Sequence, residues 1–357
     1  MNPEEARQRQ VLGACPLPRV DGGGQVTLAH GEGGRETRRL IEECIWRLLP
    51  QTPLAGQGGD AARLPRPAGP LAFTTDSYVV TPLFFPGGDI GKLAVYGTVN
   101  DLAVMGAVPR WMSLAFIVEE GFPTSDLESI LRSIAAAATR AEVEIVTGDT
   151  KVVPRGAADG IYLNTAGVGD LVEPIPPGPR QIQPGDQLIV SGPIGRHGLA
   201  ILAARESLGF EPAPQSDCAP VTGLFRALRS AGVSFRAARD ATRGGLAAVC
   251  QEWARDSRTT LCLQESRIPV SDEVRGATEL LGLDPVFLAN EGTVVLAVEP
   301  GQVNGALQIL QASEQGRQAA VIGEVRPRQS VPVMVVGPMG RERVLEEPAG
   351  APLPRIC

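Results

Sequence analysis

The sequence predicts an α/β (α+β) protein of two domains, and three observations lead there. Its 357 residues exceed what one hydrophobic core serves. Apolar residues at 43% can fill two cores, while aromatics at 4% with 42 glycines and 31 prolines suit many tight connections better than a helical bundle. Short β-branched runs alternate with helical apolar faces, and the cluster Pro174, Pro176, Pro177, Pro179 and Pro184 divides two such series, placing the domain boundary at 171–185. The expected division is a flexible segment over 1–30, domains over 31–180 and 181–339, and a flexible tail over 340–357.

Taken in order, the first thirty residues are rich in Gly and Pro and show no period. Leu40, Ile41, Cys44, Ile45 and Leu48 then trace one apolar helical face. Residues 51–70 read as a loop. Residues 72–80 have the β-branched and aromatic content of a strand, with Asp76 at its middle. A helix is expected to start near Asn100 and Asp101. Ser125 and Glu128 have capping-box spacing ahead of a helix whose face is Leu127, Ile130, Leu131 and Ile134. Residues 143–146 read as a strand.

The second domain opens with a strand over 187–190, a glycine loop over 191–195 and a helix through Leu199, Leu202 and Ala203. The same grammar returns at 240–245, ahead of Leu246, Val249, Cys250 and Trp253. Residues 331–336 offer a last strand, and from Gly340 onward the chain reads as a tail.

Net charge of −7 and a pI near 5.2 leave no basic footprint for nucleic acid. No stretch reaches the roughly eighteen apolar residues of a membrane span. The N-terminus lacks an apolar signal core, so a reducing cytoplasm without disulfides is expected. Six cysteines without a C-x-x-C pair, and only His30 and His197, give a structural zinc site no support.

Several residues could carry chemistry. Asp76, Asp101 and Asp149 lie at strand-like or helix-opening segments, where bare carboxylates repel one another and a hard divalent cation relieves them. Taken singly, Asp101 also fits a helix cap and Asp149 a turn. Lys151, two residues beyond Asp149 in an extended segment, projects on the same side, as a phosphate ligand or as a surface ion pair. Glu291 lies between two apolar runs. Burial would raise its pKa and make it a proton acceptor, whereas Asn290-Glu291-Gly292 also fits a hairpin turn. Gly31, Gly33 and Gly34 beside His30 could wrap a phosphate or serve as a linker. The segment 87–93, which contains Lys92, lacks the spacing and the Ser/Thr of a P-loop, and no dinucleotide fingerprint is present. Cys357, the last residue, is expected to be exposed; nearby Arg355 favours its thiolate and the terminal carboxylate opposes it. Position alone fits a frayed end as well.

Together these segments resemble the HypE family of hydrogenase maturation factors, in the superfamily of aminoimidazole ribonucleotide synthetase, selenophosphate synthetase and thiamine monophosphate kinase. The carriers are His30-Gly31-Glu32-Gly33-Gly34, Thr75-Asp76-Ser77, Gly87-Gly88-Asp89-Ile90-Gly91-Lys92, Val99-Asn100-Asp101, Gly148-Asp149-Thr150-Lys151, Asp240-Ala241-Thr242-Arg243, Ala289-Asn290-Glu291-Gly292 and the terminal Pro354-Arg355-Ile356-Cys357. The last is the most specific. Glu32 departs from the small residue usual at its position.

The resemblance implies an aminoimidazole ribonucleotide synthetase-like fold, with an N-terminal domain that forms a dimeric β-barrel and binds ATP. It implies a homodimer, a carbamoyltransferase partner (HypF) and an iron-carrying HypC–HypD complex. The implied reaction is ATP-dependent dehydration of a carbamoyl group on Cys357 to a thiocyanate, the source of cyanide for [NiFe]-hydrogenase iron. It assigns Asp76, Asp101 and Asp149 to Mg²⁺, and gives Lys151 the developing phosphate charge and Glu291 the proton. Lys92, Asn100, Asp240, Arg243, Gly31, Gly33 and Gly34 join the acids in binding ATP. Competing readings are a superfamily enzyme acting on a free small molecule, and a non-enzymatic scaffold that docks its tail. The prolines of the tail favour extended geometry, which lets it reach a site or swing away.

Overall fold

The alternation of half-buried and exposed residues along Leu71–Tyr78 makes this strand, β1, the edge of a sheet with one covered face. The computed structural model describes residues 24–55, 60–347, 353, 356 and 357. Most of the N-terminal segment, Arg355 and most of the last ten residues lie outside that set.

In the N-terminal part, α1 (Arg35–Arg39) continues as a π-helical stretch over Leu40–Trp46. After β1 come α2 (Ile90–Val104), β2 (Ala107–Glu119), α3 (Thr124–Ala141), β3 (Glu144–Val153) and β4 (Ile161–Leu171). The sheet order is β1-β4-β2-β3, antiparallel except for the parallel pair β2 and β3. Helix α2 lies across β1, β4 and β2, with α3 packed on it. The sheet is open, with β1 and β3 as its edges.

Three expectations for this half are corrected. The helix expected near Asn100 starts at Ile90, because the Asp89 side chain caps it by accepting from the backbone N–H groups of Gly91 and Lys92. Nearly every residue of α2 is buried, so it shows no amphipathic stripe from which its start could be read. The capping box at Ser125 does not form: α3 begins at Thr124 after Pro123, which puts Ser125 inside the first turn. Its hydroxyl donates to Asp126 instead. The strand expected over 143–146 extends to Val153, through Asp149 and Lys151.

The C-terminal part runs β5 (Gln187–Val190), α4 (Arg196–Arg205), α5 (Thr222–Ser230), β6 (Ala237–Asp240), α6 (Gly245–Ser257), β7 (Thr260–Gln264), α7 (Asp272–Leu281), β8 (Val294–Val298), α8 (Val303–Gln311), β9 (Ala320–Arg326), β10 (Val333–Val336) and β11 (Glu342–Val344). These strands form one sheet in the order β11-β10-β7-β9-β5-β8-β6, with β7 and β10 its parallel pair. The segment expected as tail from Gly340 therefore holds a strand. Leu345, just past β11, is buried and donates its N–H to the Val333 carbonyl. Its apolar side chain anchors the chain several residues later than composition suggested.

Candidate active site

The strand end at Asp240, the turn before β8 that carries Glu291, β1 and the C-terminal half of α2 converge on one cavity of about 520 Å³. Asp76, Asp101, Asp240, Arg243, Glu291 and Cys357 all line it. Six of the residues singled out in the sequence thus share one space.

Glu291 is 3% exposed, and its Oε1 has no hydrogen-bond partner among the described residues. Its backbone is held hard. Its N–H donates to Asp217 Oδ1 at 3.0 Å, and its carbonyl accepts from Asn100 Nδ2 at 3.2 Å. It is no exposed hairpin turn. Burial, then the carboxylates of Asp240, Asp217, Asp76 and Asp101, hold its pKa well above the ordinary range. Asp240, almost wholly buried, is raised to about 7 by burial and then by Asp101. Burial also raises Asp101, with Asp76 adding to it, while a hydrogen bond from Thr74 Oγ1 at 2.8 Å opposes the shift.

Cys357 enters this cavity from the chain end. The expectation of an exposed, thiolate-prone sulfur is corrected: it is half-buried, and burial followed by Glu291 raises its pKa to about 12. Arg243 opposes that shift. The Val79 N–H donates to a terminal carboxylate oxygen of Cys357 at 3.2 Å, and His197 Nε2 lies 2.6 Å from the Ile356 carbonyl oxygen. Leu353 and Ile356 are buried. The described end of the tail is therefore docked.

A second cavity, of about 240 Å³, holds the other half of the expected site: Gly31, Gly33, Asp149 and Lys151, with Thr37 and Trp46. Lys151 Nζ pairs with Asp149 Oδ2 at 3.1 Å, and both side chains are largely exposed. Gly33 has φ +79°, a backbone suited to glycine. A Cβ on Gly31 would fall 2.8 Å from the Val152 nitrogen, so only glycine permits this approach to β3. Gly34 lines neither cavity.

One chain therefore does not gather its three acids: Asp76 and Asp101 share a cavity that Asp149 does not line. Among the described residues no group of three or more His, Cys, Asp or Glu could hold a metal ion. Two further expected ligands do other work. Lys92 Nζ donates to the Gly87 carbonyl at 2.8 Å. Asn100 is buried, donates to the Ala219 and Glu291 carbonyls and accepts from Val221 N–H, and so staples α2 to the second domain.

Sequence reasoning missed Asp217 and His197. Asp217 accepts from the N–H groups of Glu291 and Gly292 and from Thr293 Oγ1, fixing the turn that presents the candidate base. Nothing local marks either residue. Their partners lie far away in the sequence.

Comparison with known proteins adds the following. Residues 58–171 match the family "AIR synthase related protein, N-terminal domain", and 183–336 match "AIR synthase related protein, C-terminal domain". The chain is 45% identical over 338 residues to carbamoyl dehydratase HypE of Azotobacter vinelandii, covering 94% of this chain and 98% of that protein. A crystal structure of hydrogenase maturation protein HypE in complex with ATP superposes with TM-score 0.87 at 42% identity, over 93% of this chain and 99% of that one. A chain of a HypE–HypF complex superposes with TM-score 0.75 at 44% identity, over 78% and 90%.

Proposed function

The chain belongs to the HypE family of carbamoyl dehydratases, within the AIR synthase related proteins, and on that premise we propose that it is an ATP-dependent dehydratase whose substrate is its own carbamoylated Cys357. The observation that carries this is the presence of Cys357 in one cavity with a buried carboxyl, Glu291, whose Oε1 lacks a partner among the described residues.

In the proposed reaction the γ-phosphoryl group of ATP passes to the carbamoyl oxygen, releasing ADP and making that oxygen part of a good leaving group. The nitrogen gives up one proton to solvent as the oxygen is phosphorylated and the other to Glu291 as the C–O bond breaks with departure of phosphate, and C≡N forms on sulfur. One chain supplies part of a divalent-cation site: Asp76 and Asp101 line the same cavity, where burial and mutual repulsion hold Asp101, Asp240 and Glu291 above their ordinary pKa values. Mg²⁺ held by Asp76 and Asp101 would supply the positive charge that offsets this repulsion and lets Glu291 ionise. Arg243 favours negative charge beside the sulfur and so works against the upward shift of the thiol.

The two separated cavities support a homodimer. Asp76 lies on β1 and Asp149 on β3, the two edges of the open sheet. A second copy laid edge to edge, β3 along β1, would close a shared barrel and bring Asp149 and Lys151 of one chain to the ATP bound at the other's Asp76. Gly31 and Gly33 would come with them as a phosphate cradle. The HypE–HypF complex supports carbamoyl transfer from HypF to the tail; the cyanide then passes to iron on HypC–HypD. No described helix is long and apolar enough to cross a membrane, and the cytoplasm is the proposed compartment. The division into 31–180, 181–339 and a reactive tail is retained, with β11 as the anchor where that tail begins.

Intact mass spectrometry tests this. The chain incubated with the carbamoyl donor system should gain one carbamoyl group, and on addition of MgATP lose one water. Cys357→Ala should show neither shift. Stoichiometric ADP formation by Cys357→Ala under the same conditions would overturn the proposal.

A further inference from the structure

His197 is fully buried at the second position of α4, and no part of the reaction just described uses it. Its two ring nitrogens are both engaged. Nε2 lies 2.6 Å from the carbonyl oxygen of Ile356, and Nδ1 lies 2.8 Å from Ser216 Oγ. A carbonyl oxygen only accepts, so Nε2 carries the ring proton and Nδ1 is left to accept from the Ser216 hydroxyl. Ser216 Oγ in turn accepts the Cys218 N–H at 3.1 Å. One directed chain of donors thus runs from the Cys218 backbone through Ser216 and the imidazole to the tail. Phe85 meets the ring edge-on, with centroids 5.5 Å apart, and helps fix its plane.

The frame that holds this histidine also holds the candidate base. The Gly198 N–H donates to the Ala289 carbonyl at 2.9 Å, and the Gly195 N–H donates to Asn290 Oδ1 at 2.6 Å. Beside Ser216, Asp217 accepts from Glu291 and Gly292. Two separate braces therefore fix the distance between His197 and Glu291. On the tail, the His197 contact at Ile356 and the Val79 contact at Cys357 fall on successive residues, so a slip of one residue loses both.

We infer that His197, oriented by Ser216, is a positioning residue that sets the register of the C-terminal tail and so places the Cys357 substituent against Glu291. This deepens the reading of Cys357 as substrate and rests on it.

The test uses the full chain and iodoacetamide, with alkylation of each cysteine followed by peptide mass spectrometry. His197→Leu removes the donor to Ile356 and should raise the Cys357 alkylation rate about tenfold. His197→Gln, whose terminal amide N–H can stand near Nε2, should hold the rise to about threefold or less. Buried Cys44, Cys218, Cys250 and Cys262 report whether the fold is intact. If they react in His197→Leu, Ser216→Ala, which leaves the imidazole without its orienting hydroxyl, decides in its place and should still raise Cys357 reactivity. Ranking of ATP-dependent water loss in carbamoylated chains should follow the same order, leucine slowest. Wild-type alkylation of Cys357 in an intact His197→Leu protein, or a glutamine variant as open as the leucine one, would overturn the inference. The alkylation readout needs no carbamoyl chemistry, so the two failures are told apart: unchanged alkylation overturns the role of His197 and leaves the reaction standing, whereas absent water loss in the wild-type chain overturns the reaction while the tail register can still be read.

Discussion

Glu291 owes its chemistry to residues that the sequence keeps apart. In sequence, Asn290-Glu291-Gly292 fitted a solvated turn as well as a buried base; the fold decides, because Asp217 and Asn100 pin the backbone while Asp240, Asp76 and Asp101 surround the carboxyl. Glu291→Gln keeps the shape and removes the proton acceptor. Dehydration should fall about a thousandfold while the carbamoylated chain accumulates, a split that intact mass spectrometry resolves. Asp240 gives a pH prediction. Its carboxyl moves from an ordinary 3.8 to about 7 in the folded chain, burial being the larger cause. Between those values the folded state keeps a proton that the unfolded state has lost, so this group's contribution makes stability fall as pH rises through the interval. Asp240→Asn should flatten that slope and, above neutrality, raise the calorimetric melting temperature of the nucleotide-free protein by a few degrees.

At the scale of elements, α2 does two jobs on two faces. Asp101 faces the cavity, while neighbouring Asn100 joins the helix to the loop before α5 and to the Glu291 turn. Asn100→Ala would leave the Val221 N–H and two carbonyls unpaired in a buried place. It should destabilise the chain by about 2–3 kcal/mol, read from the urea midpoint, and slow dehydration by loosening Glu291. The strands read at 72–80, 143–146, 187–190 and 331–336 and the glycine loops were legible because their signals are local, β-branched runs and Gly at positions of positive φ, whereas β2, β4, β7, β8, β9 and β11 were not named from the sequence. The start of α2 was not, since a helix buried on nearly all sides has no polar face to alternate with. The Ser125 box was misread for a simpler reason: Pro123 starts the helix before Ser125 can cap it.

For the whole molecule, the open sheet is the unfinished part. Phe73 is 69% exposed, Ile117 42% and Leu71 41%, and Phe73 sits opposite Val168 in the register of β1 and β4. Large apolar side chains left on one sheet mark a surface that another body covers. With the homodimer as that body, Phe73→Asp should yield a monomer by analytical ultracentrifugation. ATP-dependent water loss should drop with it, because Asp149 and Lys151 would no longer reach the partner's cavity. A Phe73→Asp protein that sediments as wild type would remove the barrel arrangement.

The sequence by itself determined the inventory: a terminal cysteine, the acids, the glycine loops, and motifs specific enough to imply the family. These are statements about residue type and short spacing, and the chain order carries them. Only the tertiary structure decided which of them meet. It put Asp76, Asp101, Asp240, Glu291 and Cys357 in one cavity and Asp149 with Lys151 in another, and docked the terminal Ile356 and Cys357, the latter expected to be exposed, beside His197. The reason is physical: burial, carboxylate crowding and the direction of an imidazole proton depend on distances between residues far apart in the chain, 159 positions for His197 and Ile356 and 191 for Asn100 and Glu291, and no local pattern encodes such distances.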